Sequence, residues 1–244
     1  LFSNNIDDLS LIDDEKKILE EFNEKIHYSD SYFDVGQMKY QICVDDTYVF
    51  HPLKYLYRLK DICSEKGIRI YERTTVYKIT KKDNMYLCYA NGKIIKAKKV
   101  VLALHYPYFL KPYYFPFKGS LEKSYVAACK VDKISKSNGI TPSTPILSFR
   151  YHADKEKYII YLNGSHIIQD KIDNEKCFDK LKKEVEELGL KISYIWSNYD
   201  IMTKDSLSIV GRIEENLYIA TGYNTWGDDK CYIGRHYNRR FSIK

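Results

Sequence analysis

The sequence has little that would place the chain in a membrane or outside the cell. It contains no run of about 18 apolar residues, so no transmembrane helix is predicted. Residues Leu1–Asn5 have neither the basic nor the apolar part of a signal peptide, and they include no initiator Met, so we expect the chain to begin within a gene. The six cysteines show neither metal-ligand spacing nor a disulfide framework. These features together predict free thiols, no metal site and a reducing cytoplasm.

The second absence concerns glycine motifs. Only 11 of the 244 residues are glycine, and the pattern Gly-x-Gly-x-x-Gly does not occur. Such a turn joins the first strand of a dinucleotide-binding βαβ unit to its helix and holds a pyrophosphate at the helix N-terminus. A Walker A pattern is also missing. The sequence therefore predicts no complete dinucleotide-binding unit within these 244 residues.

The charge does not by itself indicate a partner. The net charge is +6, but lysines alternate with acidic residues, as in Lys180–Glu187, which is typical of solvated helix faces. A nucleic-acid partner would be supported by net charge alone. We therefore predict a small-molecule substrate, with no nucleic-acid and no membrane partner.

The chain is long enough to bury a sizeable core, as one large or two small domains. Helical spacing of apolar residues predicts helices over Ser10–Ile26, after His51-Pro52 and over Asp173–Leu188. The second of these has a stripe that we expect to be buried: Leu53, Leu56, Leu59, Ile62 and Cys63. Strands are predicted at 38–50, 68–71, 75–79, 85–89, 93–96, 99–103 and 191–196, with a tight turn at Asn91-Gly92. Helix and strand alternate in a βαβ rhythm at the second helix.

Residues 107–170 differ in character from the rest. Tyr and Phe cluster in 106–117, and strand-like runs follow at 124–130, 145–151 and 157–162. This pattern predicts a second, mostly antiparallel domain. We place its bounds at 107–199, with 1–106 and 200–244 forming the other domain.

The C-terminal region contains the most informative turn. Asn216–Thr221 has the composition of a buried strand and runs into the glycine-rich stretch Gly222–Gly227, a turn that normally opens a helix. The residues after Gly227 have no apolar face at helical spacing. A one-base shift in the codons after Gly227 could restore an apolar helix, and we predict such a frameshift in this tail.

These motifs resemble, in order, those of the FAD-dependent oxidoreductases of the D-amino-acid-oxidase, glycine-oxidase and sarcosine-oxidase type. The resemblance lies in Val49–Tyr55, Gly67–Val76, Val100–Pro107 and Trp196–Gly227, with Ser124–Ala127 as a weaker fifth stretch. It implies a mixed α/β (α+β) fold, with a partial FAD-binding Rossmann-like domain and an antiparallel-sheet substrate domain. It also implies FAD as the cofactor and the oxidation of a C–N or similar bond by hydride transfer to flavin.

The resemblance further implies which residues contact FAD. Val76 matches the place where the family's backbone meets the adenine end, and Ala103 and Leu104 match the strand end that passes the cofactor. Members often have Thr at the position of Leu104. Glycines in the family let the backbone approach the ribityl chain and the flavin ring. The matching residues and their neighbours here are Gly211, Gly222, Asn224, Trp226 and Gly227.

The chain departs from the family in its missing Gly-x-Gly-x-x-Gly turn and in the tail after Gly227, and two alternative hypotheses follow from these differences. In the family a glycine-motif unit precedes everything seen here, so we expect an inactive fragment of a flavin-dependent oxidoreductase. The other hypothesis is a flavin-free module that binds a small molecule or a protein, with 106–117 as its contact surface.

The resemblance identifies no catalytic residue. Glycine-oxidase-like members place a carboxylate-binding Arg before the equivalent of Asp205, but 196–203 contains none; Arg150 or Arg212 could substitute. Each of His51, His105 and His166 could act as an acid or base, although a structural hydrogen bond is the simpler interpretation. Tyr125 could face the substrate or serve packing alone.

Overall fold

The structure, a computed structural model, describes residues 1–28, 32–33, 36–37, 39–45, 49–106, 119–135, 138–143, 146–168 and 172–225. Its helices are α1 (Leu9–Glu21), α2 (Pro52–Glu65) and α3 (Asn174–Glu187), with a 3₁₀ turn at Ile6–Asp8. The short N-terminal strands are β1 (Phe2–Ser3), β2 (Ile26–His27), β3 (Tyr32–Phe33), β4 (Gly36–Gln37), β5 (Tyr40–Gln41) and β6 (Cys43–Val44). The strands that follow α2 are β7 (Val76–Lys82), β8 (Met85–Ala90), β9 (Lys93–Ala97) and β10 (Val100–Ala103). The remaining strands are β11 (Gly119–Lys130), β12 (Gly139–Ile140), β13 (Leu147–Ala153), β14 (Lys157–Ile167), β15 (Lys191–Thr203), β16 (Ile209–Glu214) and β17 (Leu217–Thr221).

The chain divides into two compact units. Unit 1 comprises Leu1–Thr47 and Leu121–Asp200, and unit 2 comprises Tyr48–Ser120 and Ile201–Lys244. The predicted domain of residues 1–106 differs from this division, because Leu1–Thr47 belongs to unit 1. The cause is packing: the rings of Phe2 and Phe149 lie 5.5 Å apart between centroids. The bounds of the functional domains stay a prediction.

Unit 1 contains most of a five-stranded sheet in the order β12-β13-β14-β11-β15. Strands β11, β13 and β14 pair antiparallel, with Ala127 opposite Tyr161 and Phe149 opposite Tyr161 on the other side. Helix α3 packs against this sheet through Leu181 and Val185, which lie at helical spacing and are fully buried. Asp173 begins the helix by accepting a hydrogen bond from the Glu175 amide.

Unit 2 contains two three-stranded sheets. The first is the meander β7-β8-β9, and its Asn91-Gly92 turn has positive φ at both residues, as a two-residue hairpin requires. The second has the order β10-β17-β16, in which β10 and β17 are parallel and β16 is antiparallel. A small core joins the two sheets, formed by Tyr86, Leu102, Leu217 and Ile219.

The mixed α/β class with mostly antiparallel sheets is confirmed, and three local predictions are wrong. Helix α1 ends at Glu21 instead of Ile26, which lies in β2. The segment Ile68–Tyr71 is not a strand, because no described strand pairs with it. The stripe of α2 is not buried: Leu53, Leu56 and Leu59 are exposed.

Candidate functional site

The candidate site lies at one edge of the β10-β17-β16 sheet. Strands β10 and β17 run in the same direction, with Ala103 directly beside Ala220. Their carboxyl ends therefore meet at one edge, where Leu104 follows β10 and Gly222 follows β17. Ligands of open α/β sheets bind outside the carboxyl ends of parallel strands. The structure thus brings together Ala103, Leu104 and Gly222, three of the predicted cofactor contacts.

A side-chain hydrogen bond joins the two segments that leave this edge. The hydroxyl of Thr221 donates to the carbonyl of His105 over 2.9 Å. Thr221 is fully buried, and this part-buried bond holds the loop after β10 against the end of β17.

The turn after β17 has an unusual backbone. Gly222 has φ of +69°, and Asn224 and Thr225 follow with +52° and +65°. Asn tolerates this left-handed region, but a β-branched residue such as Thr225 rarely adopts it. The Thr225 hydroxyl donates to the Asn224 carbonyl over 2.5 Å. Strained turns of this kind occur often at ligand sites.

The side chain of Asn224 binds the protein itself. Its amide nitrogen donates to the Thr203 hydroxyl over 2.9 Å and to the Gly222 carbonyl over 3.1 Å. Its oxygen accepts from the backbone amide of Thr203 over 2.5 Å. Because Asn224 is buried, these bonds fix the turn against the end of β15. The predicted cofactor contact of Asn224 would have to be made by its backbone.

The two glycines of the site differ in their surroundings. A Cβ added to Gly222 would lie 2.8 Å from Cγ2 of Thr203, so the protein alone already requires glycine there. A Cβ added to Gly211 would meet no described atom within 4 Å. Gly211 lies on β16 opposite Ile219, and open space lies above it. Of the two, Gly211 is the glycine whose missing side chain is not explained by packing.

The other predicted FAD contacts lie apart or outside the described residues. Val76 begins β7 and pairs with Ala90 in the meander. Trp226 and Gly227, and the predicted frameshift after them, fall outside the residues that the structure describes. All eight contacts remain predictions as FAD ligands.

The candidate acids and bases have structural partners. His51 is the N-cap of α2, and its Nδ1 accepts from the Lys54 amide over 3.4 Å, which confirms the interpretation as a helix-start hydrogen bond. His166 lies 2.9 Å from the hydroxyl of Tyr125, which also donates to Asn174 over 2.7 Å.

Tyr125 belongs to the core of unit 1. It is buried beside Phe178 of α3, with the two rings edge to face. Burial raises the pKa of Tyr125 to about 12, so its hydroxyl stays protonated at neutral pH. Arg150 and Arg212, the two suggested carboxylate ligands, are exposed. Within the described ranges, no three His, Cys, Asp or Glu side chains converge to hold a metal ion.

Sequence reasoning missed Thr203 and Thr221, the two residues that organise the turn. Both are buried polar residues that end a strand. The available signal was a threonine at each strand end, immediately before Lys204-Asp205 and immediately before Gly222. A buried hydroxyl at such a position needs a partner, and the partner is the adjacent loop.

The described residues include predicted contacts for one part of FAD and none for another part. Ala103, Leu104 and Gly222 lie together at the carboxyl edge of β10 and β17, and a Cβ added to Gly211 on β16 would meet no described atom within 4 Å. The pyrophosphate needs a glycine-rich turn before a helix, and none of α1, α2 and α3 follows one. The described residues therefore include predicted contacts to the flavin side of the cofactor and supply no glycine-rich turn for the pyrophosphate.

The sequence matches the DAO family, FAD dependent oxidoreductase, over residues 10–228. Because this match covers most of the chain, the protein belongs to the DAO family of FAD-dependent oxidoreductases.

One curated relative is 30% identical over 186 residues, which cover 73% of this chain. Its name describes a Rieske 2Fe-2S iron-sulfur protein, YhfW, of Bacillus subtilis (strain 168). The aligned region is only 36% of the relative, so this chain spans about a third of its length.

Solved structures share the fold at low sequence identity. Glycine oxidase from Geobacillus kaustophilus superposes with a TM-score of 0.67 at 13% identity, over 93% of this chain and 65% of the oxidase. L-proline dehydrogenase from P. horikoshii superposes with a TM-score of 0.61 at 18% identity, over 93% of this chain and 66% of the dehydrogenase. L-amino acid deaminase from Proteus vulgaris superposes with a TM-score of 0.66 at 14% identity, over 92% of this chain and 69% of the deaminase. Among the described residues, no helix is long and apolar enough to cross a membrane.

Proposed function

We propose that the chain is part of a flavin enzyme that oxidises the C–N bond of an amine or an amino acid. The observation that carries the proposal is the set of structures that share its fold. Their names describe a glycine oxidase, an L-proline dehydrogenase and an L-amino acid deaminase, and all three names point to C–N chemistry. When bound, the flavin accepts a hydride equivalent from the substrate carbon.

In this proposal the chain's own residues position the cofactor. Thr221 and Asn224 hold the two backbone segments at the carboxyl edge of β10 and β17 by a part-buried and a buried hydrogen bond, respectively. Gly211 leaves space for close approach of the ring system. Backbone groups fixed in this way keep their geometry when a ligand binds, which lowers the entropic cost of binding.

We also propose that the 244-residue chain alone does not retain FAD. The diphosphate carries two negative charges, and its usual partner, a glycine-rich turn at a helix N-terminus, is missing from the sequence. We propose that turnover requires a polypeptide that supplies this turn. We also propose that the protein works in the cytoplasm on a small molecule, without a nucleic-acid partner.

The test is a visible absorbance spectrum after purification with excess FAD and removal of the free cofactor. For the chain alone we expect no flavin band. A stoichiometric band would contradict the proposed limit, and a screen of amines and amino acids for flavin reduction would then test the reaction directly. No binding even after the glycine-rich unit is supplied would contradict the flavin function itself.

A second candidate function is a flavin-free binding module. It is favoured by one observation: the buried Asn224 and the need for glycine at 222 are both explained by Thr203, without a ligand. The substitution Gly211→Ala distinguishes the two, because a Cβ at this position meets no described atom within 4 Å. In the flavin proposal this variant weakens FAD binding in the completed protein while its thermal stability is retained.

A further inference from the structure

The positive charge of the chain is concentrated in the β7-β8-β9 meander. The whole chain has 39 Lys and Arg residues against 33 Asp and Glu residues, which gives a net charge of +6. The segment Val76–Lys99 holds seven of the basic residues, all of them lysines, and one acidic residue, Asp83. Its own net charge is therefore also +6, and the rest of the chain is neutral. The alternation of lysines with acidic residues that is found in the helices does not extend to this sheet.

The strand register places lysines and apolar side chains on one face of this meander. Leu87 on β8 lies opposite Lys96 on β9. Tyr89 lies opposite Lys78 on β7 and Ile94 on β9. Directly opposed residues of antiparallel strands point to the same face, and so do residues two or four positions apart on one strand. We call this face the outer face of the meander, defined by Lys78, Lys82, Leu87, Tyr89, Ile94 and Lys96.

The two faces of the meander differ in burial. Tyr86 and Cys88, which alternate with the outer residues of β8, are buried, and Tyr86 belongs to the core of unit 2. On the outer face Ile94 is 54% exposed. Tyr77 is 53% exposed, and its ring centroid lies 6.4 Å from that of Tyr89. The outer face is thus a surface of unit 2 on which apolar side chains and lysines are exposed together.

Acidic side chains do not neutralise the lysines of the outer face. Lys81, which lies opposite Tyr86 and so points to the inner side, pairs with Glu215 over 3.5 Å. Among the described residues, Lys82 and Lys96 take part in no ion pair. Lys78 lies over an aromatic ring instead of a carboxylate, with its Nζ 5.5 Å from the ring centroid of Tyr89. A surface with unpaired charge of one sign attracts partners of the opposite sign.

We propose that the outer face of the meander attaches the protein to the surface of an anionic phospholipid membrane. The lysines bind the acidic headgroups, while their aliphatic stems lie along apolar surface. Ile94 and Leu87 enter the boundary between headgroups and acyl chains. Tyr77 and Tyr89 lie at the level of the headgroups, where tyrosine is enriched.

This inference goes beyond the proposed function and uses no step of it. The cytoplasmic leaflet of a membrane is anionic, which agrees with the location proposed above. The inference differs from the sequence prediction of no membrane partner. That prediction considered the order of charges along the chain, whereas the register of the sheet brings lysines from β7 and β9 to one face.

Two observations favour a lipid surface over other anionic partners. Lysine is depleted in protein–protein interfaces, but lysines around exposed apolar side chains are typical of surfaces that bind anionic membranes. Single-stranded nucleic acid needs free aromatic rings on which its bases stack. On the outer face Lys78 lies over the ring of Tyr89, and the exposed Ile94 has no ring.

The experiment is sedimentation of the full chain with phospholipid vesicles. One set of vesicles contains phosphatidylcholine and phosphatidylglycerol, and the other contains phosphatidylcholine alone. We expect the chain to sediment with the anionic vesicles and to stay in solution with the neutral ones. Added salt should weaken the binding, because it screens the attraction between lysines and headgroups. The readout does not require flavin.

Substitutions on the outer face make the test specific. Lys96→Gln should weaken binding to the anionic vesicles about fivefold, because it removes one lysine from the charged surface. Ile94→Ser should weaken it about tenfold, because it removes an apolar side chain that leaves water on binding. Both side chains are exposed, so the melting temperature of the chain should be unchanged. Lys176→Gln removes the same charge from an exposed position on α3 and should leave binding intact.

Three outcomes would overturn the membrane proposal. The first is equal binding to both sets of vesicles, or binding to neither. The second is an equal loss for Lys96→Gln and Lys176→Gln, which would assign the binding to the total charge of the chain. The third is tighter binding to a single-stranded oligonucleotide than to the anionic vesicles, with no effect of Ile94→Ser, which would assign the outer face to nucleic acid.

Discussion

Helices α3 and α2 are both 14 residues long and both have an apolar stripe, but only α3 is packed. In α3, Leu181 and Val185 are buried against the sheet of unit 1. In α2 no residue is buried. Both helices are capped by a side chain, Asp173 in one and His51 in the other. This comparison shows that a capping residue and an apolar stripe suffice to define a helix, whereas burial of the stripe depends on a partner surface.

The same contrast holds for the two units. Unit 1 has a core of ten buried apolar residues that joins β1, α3 and three strands of the large sheet. Among the described residues, the corresponding core of unit 2 has four, and Val101 on β10 is exposed. The described part of unit 1 therefore buries more apolar side chains in one core than the described part of unit 2.

The largest expected effect is the truncation of a leucine in each helix. Leu181→Ala should lower the free energy of unfolding by about 2–5 kcal/mol, because it leaves a cavity between α3 and the sheet. Leu56→Ala in α2 should change it by less than about 0.5 kcal/mol. Urea denaturation of both variants measures the contrast. Equal losses would mean that the stripe of α2 is already packed.

The second-largest expected effect on stability is the difference between substitutions at two glycines, Gly222 and Gly211. Gly222→Ala should cost about 1–3 kcal/mol, because its Cβ would lie against Thr203 and its φ is positive. Gly211→Ala, placed where the structure leaves open space, should cost nothing measurable. Thermal melting of the two variants checks this. A stable Gly222→Ala protein would show that the turn relaxes easily.

A smaller effect is expected at the bond that ties the two loops of the site. Thr221→Val keeps the shape of the side chain and removes its hydrogen bond to the His105 carbonyl, which should cost about 1 kcal/mol. The exposed Thr75→Val serves as the control and should be neutral. If both substitutions give the same change in urea midpoint, the bond contributes nothing net.

The smallest effect is a pH dependence that separates the units. Burial raises the pKa of Tyr125 to about 12, above its unfolded value near 10. A raised pKa means that folding favours the protonated form, so this contribution is complete below about pH 10 and is lost as the pH rises towards 12. Tyr125→Phe should therefore flatten the alkaline loss of stability, measured by melting temperature between pH 8 and 11. Tyr57→Phe, exposed on α2, should leave the slope unchanged, and an equal slope for Tyr125→Phe would contradict the assignment.

The sequence could predict those elements whose pattern is local. The strand at 99–103, the hairpin at Asn91-Gly92 and the helix at Asp173–Leu188 lie within a few residues of β10, the β8-β9 turn and α3. Each has an alternation, a turn dipeptide or a cap that acts over a few residues.

The failures occur where long-range packing decides. The stripe of α2 has the pattern of a buried face, but nothing among the described residues covers it, and Ile68–Tyr71 lacks a neighbouring strand for the same reason. At the site, the closeness of Gly222 to Thr203 could not be read from residues 19 positions apart, and the predicted cofactor contact of Gly222 stays a prediction. Hydrogen bonds such as Thr221 to His105, which span 116 residues, need the fold first.

In the described part of each unit one thiol is buried, Cys129 in unit 1 and Cys88 in unit 2. Burial raises the pKa of both, and that of Cys129 reaches about 11, so neither reacts while its surroundings are closed. With the other cysteines replaced by serine, the alkylation rate of each thiol reports how often its own unit opens. Among the described residues, these two thiols are therefore built-in probes of the order in which the two units open.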